Sequence, residues 1–204
     1  MTRFFAFLLL VFGIAFPVAH AAEPDYDALP LAELTQMAEA GNAAAQTNLG
    51  FRHAAGEGLP QDFQEAIKWF RKAAAKGQVK AEFSLGSIYD SGEGVERDLK
   101  EAAKWYRKAA TRGFLPALFN LGLMYENGEG VAQDIVLAYA LFSLAAADGN
   151  RDAVTARDIV GARMNPAQIK EGKTMAEKWQ PGKTIPTTSK TGVLRTAIEE
   201  PTQR

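Results

Sequence analysis

Past residue 21 the chain carries a single imidazole, His53, and it has no cysteine anywhere. A general base or a Ser-His-Asp triad would have to be built on that one ring. His53 falls on the apolar stripe of a helical pattern, where it reads as a packed histidine, and no Gly-x-Ser-x-Gly elbow accompanies it. Without cysteine there is no thiol nucleophile, zinc–thiolate site, redox pair or disulfide. Thr187-Thr188-Ser189-Lys190 imitates the Ser-x-x-Lys signature of penicillin-recognising enzymes only with threonine in place of serine. Three Gly-x-Gly loops suggest phosphate, but no Lys-Ser/Thr follows them. Asp90-Ser91-Gly92-Glu93 and Glu126-Asn127-Gly128-Glu129 carry acids without the spacing of a calcium loop, and Glu199-Glu200 reads as solvated surface. No catalytic residue, metal or cofactor is therefore assigned. With Lys+Arg at 23 against Asp+Glu at 24, charge gives no reason to expect nucleic acid or an anionic membrane as partner.

The elements behind these residues recur every 36 positions. Ala45, Leu49 and Gly50 return as Ala81, Leu85 and Gly86, then as Ala117, Leu121 and Gly122. Gly56 and Gly58 return as Gly92 and Gly94, then Gly128 and Gly130. Asp62, Ala66, Ala73 and Gly77 recur in the same way, and Trp69 returns as Trp105 and then as Leu141. Ala81, Leu85 and Tyr89 make one helical stripe; Ala102, Trp105 and Ala109 make another. Each unit is thus two helices, and its glycines end the first helix before an aspartate caps the second. Glu65 and Glu101, three residues after Asp62 and Asp98, predict capping boxes. The glycine of each Leu-Gly pair is expected to let backbones approach, with Trp69 and Trp105 filling the wider gaps. One helix pair cannot bury its apolar face alone, so the units must stack. The repeats are placed at 45–80, 81–116 and 117–152.

The ends read as caps. Leu31 to Gly41 aligns with the back half of a unit. Arg157 and Asp158 stand where another Leu-Gly pair would fall, which suits the polar outer face of a terminal helix. Asn165-Pro166-Ala167-Gln168 opens a last helix whose apolar face is Ile169, Gly172, Ala176 and Trp179, expected to lie back across the final unit. The solenoid with its capping helices (153–180) spans 30–180, after a linker at 22–29. From 181 to 204 the composition predicts a flexible tail, with a short docking motif around Val193 to Ile198. Arg3, the apolar run from Phe4 to Phe16 and Ala19-His20-Ala21 have the layout of a secretory signal peptide cut after Ala21. The run is too short for a membrane anchor, so the mature protein is expected in the periplasm or outside the cell, with no stable anchor.

The unit from Ala81 to Gly113, with its Leu-Gly pair, paired-glycine loop and Ala-Ala ending, resembles the Sel1-like repeat, a relative of the tetratricopeptide repeat. The resemblance covers about residues 30–160, with His53 and Leu59 as small departures from Tyr89 and Val95. It implies an all-α, right-handed α/α solenoid of three helix-turn-helix repeats with capping helices, and a concave groove lined by the first helices. Members of the family act as adaptors in bacterial signalling, envelope assembly and host interaction. On that geometry the groove takes Thr47, Asn48 and Phe51 from the first unit, and Phe83, Ser84 and Ser87 from the second. The third supplies Phe119, Asn120 and Leu123, with Asp90 and Glu126 one turn further. Asn48 and Asn120 suit the two backbone groups of an extended peptide. Phe83 and Phe119 either form an apolar shelf beside them or pack against the adjacent unit. The function that follows is an exported adaptor binding a protein or peptide segment; the alternative is an enzyme, or its accessory subunit, acting on cell wall or polysaccharide.

Overall fold

The computed structural model of the chain describes residues 24–186 and 188–190. The leader expected over 1–21 and the motif expected around Val193 to Ile198 lie outside the described residues. Among the described residues the chain forms nine α-helices and one 3-10 turn. Helix α1 (Leu31–Glu39) stands alone, followed by three pairs: α2 (Ala43–Ala55) with α3 (Phe63–Ala75), α4 (Val79–Ser91) with α5 (Leu99–Thr111), and α6 (Leu115–Asn127) with α7 (Ile135–Ala145). Helices α8 (Arg151–Gly161) and α9 (Pro166–Lys178) close the array.

Each paired-glycine loop is built the same way. Gly56, Gly92 and Gly128 end the first helix in the left-handed region, their N–H groups donating to Arg52, Ile88 and Met124 carbonyls. The backbone N–H of Asp62, Asp98 and Asp134 then donates back to the carbonyl of His53, Tyr89 and Tyr125 at 2.8–2.9 Å. Their carboxylates accept the next helix's first free N–H groups, as from Gln64 and Glu65. The preceding side chains add another tie: Gln61, Arg97 and Gln133 donate to the carbonyls of Ala54, Asp90 and Glu126. The capping boxes expected at Glu65 and Glu101 do not form, because the aspartate N–H each would accept is already held by the first helix. Glu65 and Glu101 pair instead with Lys68 and Lys104. Among the described residues the full box appears at Asn165 and Gln168, where α9 starts without such a loop.

The Leu-Gly pair works through a ring rather than through backbone contact. A Cβ on Gly50 would lie 2.6 Å from Phe70, on Gly86 2.5 Å from Tyr106, and on Gly122 2.7 Å from Phe142. One aromatic ring from each second helix lies against a glycine of its partner, fully buried. Trp69 and Trp105, one residue earlier, are only half-buried: each presses one side on the core while Lys72 or Lys108 places its ammonium 3.8 Å over the ring. The gap-filling role expected of the tryptophans thus belongs to Phe70, Tyr106 and Phe142. A helix position one residue on is turned by about 100°, enough to exchange boundary for core.

One of the buried acidic side chains lies within a first helix. Gln46, in α2, is buried and donates its amide to the Ala38 carbonyl at 3.0 Å. The same repeat position holds Glu82, equally buried, with Arg112 Nε 3.2 Å from its carboxylate. Burial pushes the Glu82 pKa up, against the pull of Arg112 and Lys108. A carboxyl whose folded pKa is raised favours the fold at acid pH and loses that contribution as pH rises through the folded pKa. Glu82→Gln should therefore stabilise the chain by ~1 kcal/mol at pH 7 and by less at pH 4, read by urea unfolding at the two pH values. A larger gain at the lower pH would contradict this account.

The closing helices converge on α7. Ile135 to Phe142 are buried on every side, which an ordinary two-sided helix would not be. Both α8 and α9 pack against α7. Gly172 of α9 is buried, and a Cβ there would come within 2.7 Å of the Tyr139 ring. Ile169, Met175 and Trp179 pack on the same core, so Met175 takes the part expected of Ala176. The segment expected to be a flexible tail is, over 181–186 and 188–190, laid back on the array: Ile185 is only 2% exposed. Backbone and side-chain hydrogen bonds that composition does not report hold it there.

Candidate protein-binding face

The groove positions expected from the sequence divide into three groups. Thr47 does not reach a surface: it is buried, and its hydroxyl donates to the Ala43 carbonyl at 3.0 Å. Its counterparts Phe83 and Phe119 explain why, since this register points between helices. Phe83 packs against Tyr106 and Phe114 with ring centroids 5.6 and 5.3 Å away, and Phe119 against Phe142 at 5.6 Å. The phenylalanines therefore pack against their neighbours and form no open shelf. Asn48 and Ser84 bond back to their own helices, onto Ala44 and Lys80 carbonyls at 3.1 and 2.9 Å. The two-point grip expected of Asn48 starts from an amide nitrogen already engaged.

The second group meets at one hydroxyl. Tyr106 rises from α5 past Gly86 and donates to Asp90 Oδ2 at 3.3 Å. Its pKa is raised to about 12, first by burial and also by the Asp90 carboxylate, against hydrogen bonds with Asn120 and Ser87 that lower it. Asp90 is in turn held by Arg97, whose Nη2 lies 3.7 Å from Oδ1 and whose Nε donates to the Asp90 carbonyl at 2.7 Å. Ser87, Asp90 and Asn120 are thus brought together on a residue that sequence reasoning missed. A signal existed: Phe70, Tyr106 and Phe142 share one repeat position, and only the middle ring carries a hydroxyl. Asn120 and Phe119 also line a cleft of about 180 Å³ with Asp148, Asn150 and Asp152 at the start of α8. Glu126 stands apart, paired with Arg163 at 2.8 Å.

The third group is a column. Phe51, Ser87 and Leu123 occupy one register of the first helices, and Ile159 of α8 falls 36 residues after Leu123. Phe51 is 39% exposed, though its ring also meets Phe70 edge-on at 5.1 Å, and Ile159 is 56% exposed. These two are the exposed large hydrophobic residues among the described residues, and both belong to this column. Apolar groups at its ends flank the polar cluster at its middle. Ile159 was outside the expected set because Arg157 and Asp158 marked α8 as a polar cap; the helix is polar at the Leu-Gly register and apolar two residues later.

His53, at the register of Tyr89 and Tyr125, is half-buried and its Nδ1 is enclosed without a hydrogen-bond partner. Among the described residues no three His, Cys, Asp or Glu side chains gather as a metal site would require, and no helix is long and apolar enough to cross a membrane.

The family profile described as Sel1 repeat matches residues 43–78, 79–114 and 115–150. The chain belongs to the Sel1 repeat family. Each matched Sel1 repeat begins two residues before the boundary drawn from the Ala–Leu–Gly signature, at the start of α2, α4 and α6. A crystal structure described as a Sel1 repeat protein from Oxalobacter formigenes is 41% identical, covers 63% of this chain and 96% of its own, and has a TM-score of 0.58. A second, c5321, described as a protective antigen of uropathogenic Escherichia coli with the SLR fold, is 37% identical with a TM-score of 0.68. It covers 72% of this chain, which spans only 32% of that longer one. No functionally curated protein matches the sequence. Sel1 repeat proteins in general mediate protein–protein interaction as scaffolds.

Proposed function

We propose that this chain is an exported Sel1 adaptor that binds an extended segment of a partner protein along its first-helix face, in envelope signalling or assembly. The observation that carries the reading is the column of Phe51, Ser87, Leu123 and Ile159, apolar at both ends and centred on the Tyr106–Asp90–Asn120 cluster. Exposed apolar side chains on one register give a partner anchors to bury, and the central polar groups give a peptide backbone something to bond. A rigid repeat array holds both in place before binding, which limits the entropy lost on association. Export is supported by the signal-peptide layout of the first 21 residues. The role is binding without catalysis, a reading supported by the family's general scaffold character. The carboxylates nearest the column are paired with guanidinium groups, Asp90 with Arg97 and Glu126 with Arg163.

The test is capture from the producing cell's own envelope extract, with wild type and the double variant Phe51→Asp, Ile159→Asp as baits. A partner retained by wild type should be bound at least tenfold more weakly by the variant, since truncated anchors cost on the order of 1–2 kcal/mol each. Equal retention by a variant of unchanged helical circular dichroism would sink the site. The same preparation reads the export half of the proposal: a mature N-terminus at Ala22 agrees with it, and an intact Met1 does not.

A further inference from the structure

Beyond α9 the chain turns at Pro181-Gly182 and crosses the second helices as an extended strap. Gly182 N–H donates to the Thr111 carbonyl at 2.6 Å, and the Trp179 indole holds the Lys183 carbonyl at 2.9 Å. Ile185 enters the core, and Arg107 Nη1 donates to the carbonyls of Ile185 and Pro186 at 3.1 and 3.0 Å. Four residues after the isoleucine, Ser189 offers both its N–H and its hydroxyl to Asp134, at 2.5 and 2.8 Å. Lys190 N–H reaches Glu171 at 2.7 Å. This is the grammar of a peptide in a groove: one apolar anchor, main-chain carbonyls gripped by a guanidinium, and a polar latch at the end.

Two observations make the strap a guest rather than part of the frame. Arg107 also donates to the Tyr125 hydroxyl, and the same pair stands one repeat earlier as Arg71 and Tyr89, at 2.6 Å, with no strap upon it among the described residues. The arginine clamp therefore comes with the repeat and does not depend on an occupant. The strap is also loosely seated. Apart from Ile185 and Ser189, the described residues from Pro181 to Lys190 are exposed, and between strap and α9 lies a mostly apolar cavity of about 650 Å³ floored by Met175 and Trp179. One buried side chain and a handful of hydrogen bonds work against the entropy of ordering some ten residues, so the strap opens at far lower cost than the helices beneath it.

We propose that the groove across α5, α7 and α9 is a second protein-binding site, closed in cis by the chain's own residues 182–186 and 188–190. Its partner is an extended protein segment with the pattern of the strap: an aliphatic residue followed by proline, then a serine or threonine four positions after the aliphatic. The aliphatic side chain replaces Ile185, the two carbonyls about the proline take Arg107, and the hydroxyl residue chelates Asp134. The site lies on the second helices and stands whether or not the first-helix face binds anything.

The probe is a fluorescent synthetic peptide of residues 181–190, titrated by anisotropy into the full chain and into the full chain carrying Ile185→Asp. A tethered strap competes at an effective concentration in the millimolar range, so wild type should bind the peptide at least tenfold more weakly than the variant. Binding to the variant should disappear when the peptide itself carries aspartate for Ile185, or when Arg107→Ala is added. A variant with wild-type circular dichroism that binds the peptide no better than wild type overturns the proposal. Hydrogen exchange on unmodified protein gives an independent reading. The amides of Gly182, Ser189 and Lys190 should exchange at least a hundredfold faster than those within α7, and equal protection would overturn the exchangeable strap.

Discussion

Alanine at Gly130 will destabilise the chain by about 3 kcal/mol or more, whereas alanine at Gly58 will cost about 1 kcal/mol, although the two glycines are the same repeat position. Both have positive φ, +68° and +75°, so both variants bear the left-handed penalty, on the order of 1–2 kcal/mol for a residue with a Cβ. What differs is the neighbour. A Cβ at Gly130 would lie 2.2 Å from the Leu99 carbonyl oxygen, whereas nothing lies within 4 Å of one at Gly58. The Leu99 oxygen belongs to the backbone at the start of α5 and cannot turn aside, so relief requires the third repeat to move off the second. Gly94, whose Cβ would meet Phe63 Cβ at 2.2 Å, belongs with Gly130. Urea unfolding of the three variants measures the series; three equal losses would show that local strain, not contact between repeats, decides it. The second glycine of the loop is thus where one unit rests on the unit before it, and the first unit has no earlier loop to rest on.

Above pH 10 the chain will lose about 2 kcal/mol of stability through Tyr106 alone, and Tyr106→Phe will remove that part of the loss. The Tyr106 pKa is raised from 10.0 to about 12, first because the hydroxyl is buried. A raised folded pKa means that the native chain keeps its proton while the unfolded chain gives it up. The stabilisation is whole below pH 10 and is lost as pH rises from 10 to about 12. At neutral pH the phenylalanine variant should fall within ~1 kcal/mol of wild type, since Phe70 and Phe142 fill the same place in the neighbouring repeats and what is lost is confined to the hydroxyl's bonds with Asp90, Asn120 and Ser87. Unfolding midpoints of the two proteins at pH 7 and pH 11 make the comparison. A gap between wild type and variant that does not change with pH would show that the hydroxyl is not shielded as described.

How much of the site could be read from the chain follows from the same residues. Counting along helices puts Asp90, Ser87 and Asn120 on one face, and the structure brings the three to the Tyr106 hydroxyl. Their meeting point was hidden because Tyr106 comes from the other helix of the pair and from a register reserved for a packed ring. Thr47 was misplaced for the converse reason: a small polar residue in a variable position looks like surface, yet its helix turns it inward and its hydroxyl is satisfied at Ala43. Asn48 and Ser84 carry the right chemistry and direct part of it to their own backbone.

Local interactions wrote the repeat into the sequence. Each first helix stops where glycine supplies a left-handed residue, each second helix starts where aspartate caps it, and these depend on neighbours only a few positions away. The 36-residue period, the half-unit before it and the all-α class were therefore legible from residue types and spacing alone. What depends on long-range contact was not. Which aromatic covers each Leu-Gly glycine, which acid meets which guanidinium, and how Ile185 brings 181–186 and 188–190 back onto the second helices are settled between residues up to 79 positions apart. Composition reads that segment as tail because it holds few apolar residues; one isoleucine, two carbonyls and a serine are enough to dock it once Arg107 and Asp134 stand ready. A sequence records such partners singly, and only the folded array puts them within bonding distance.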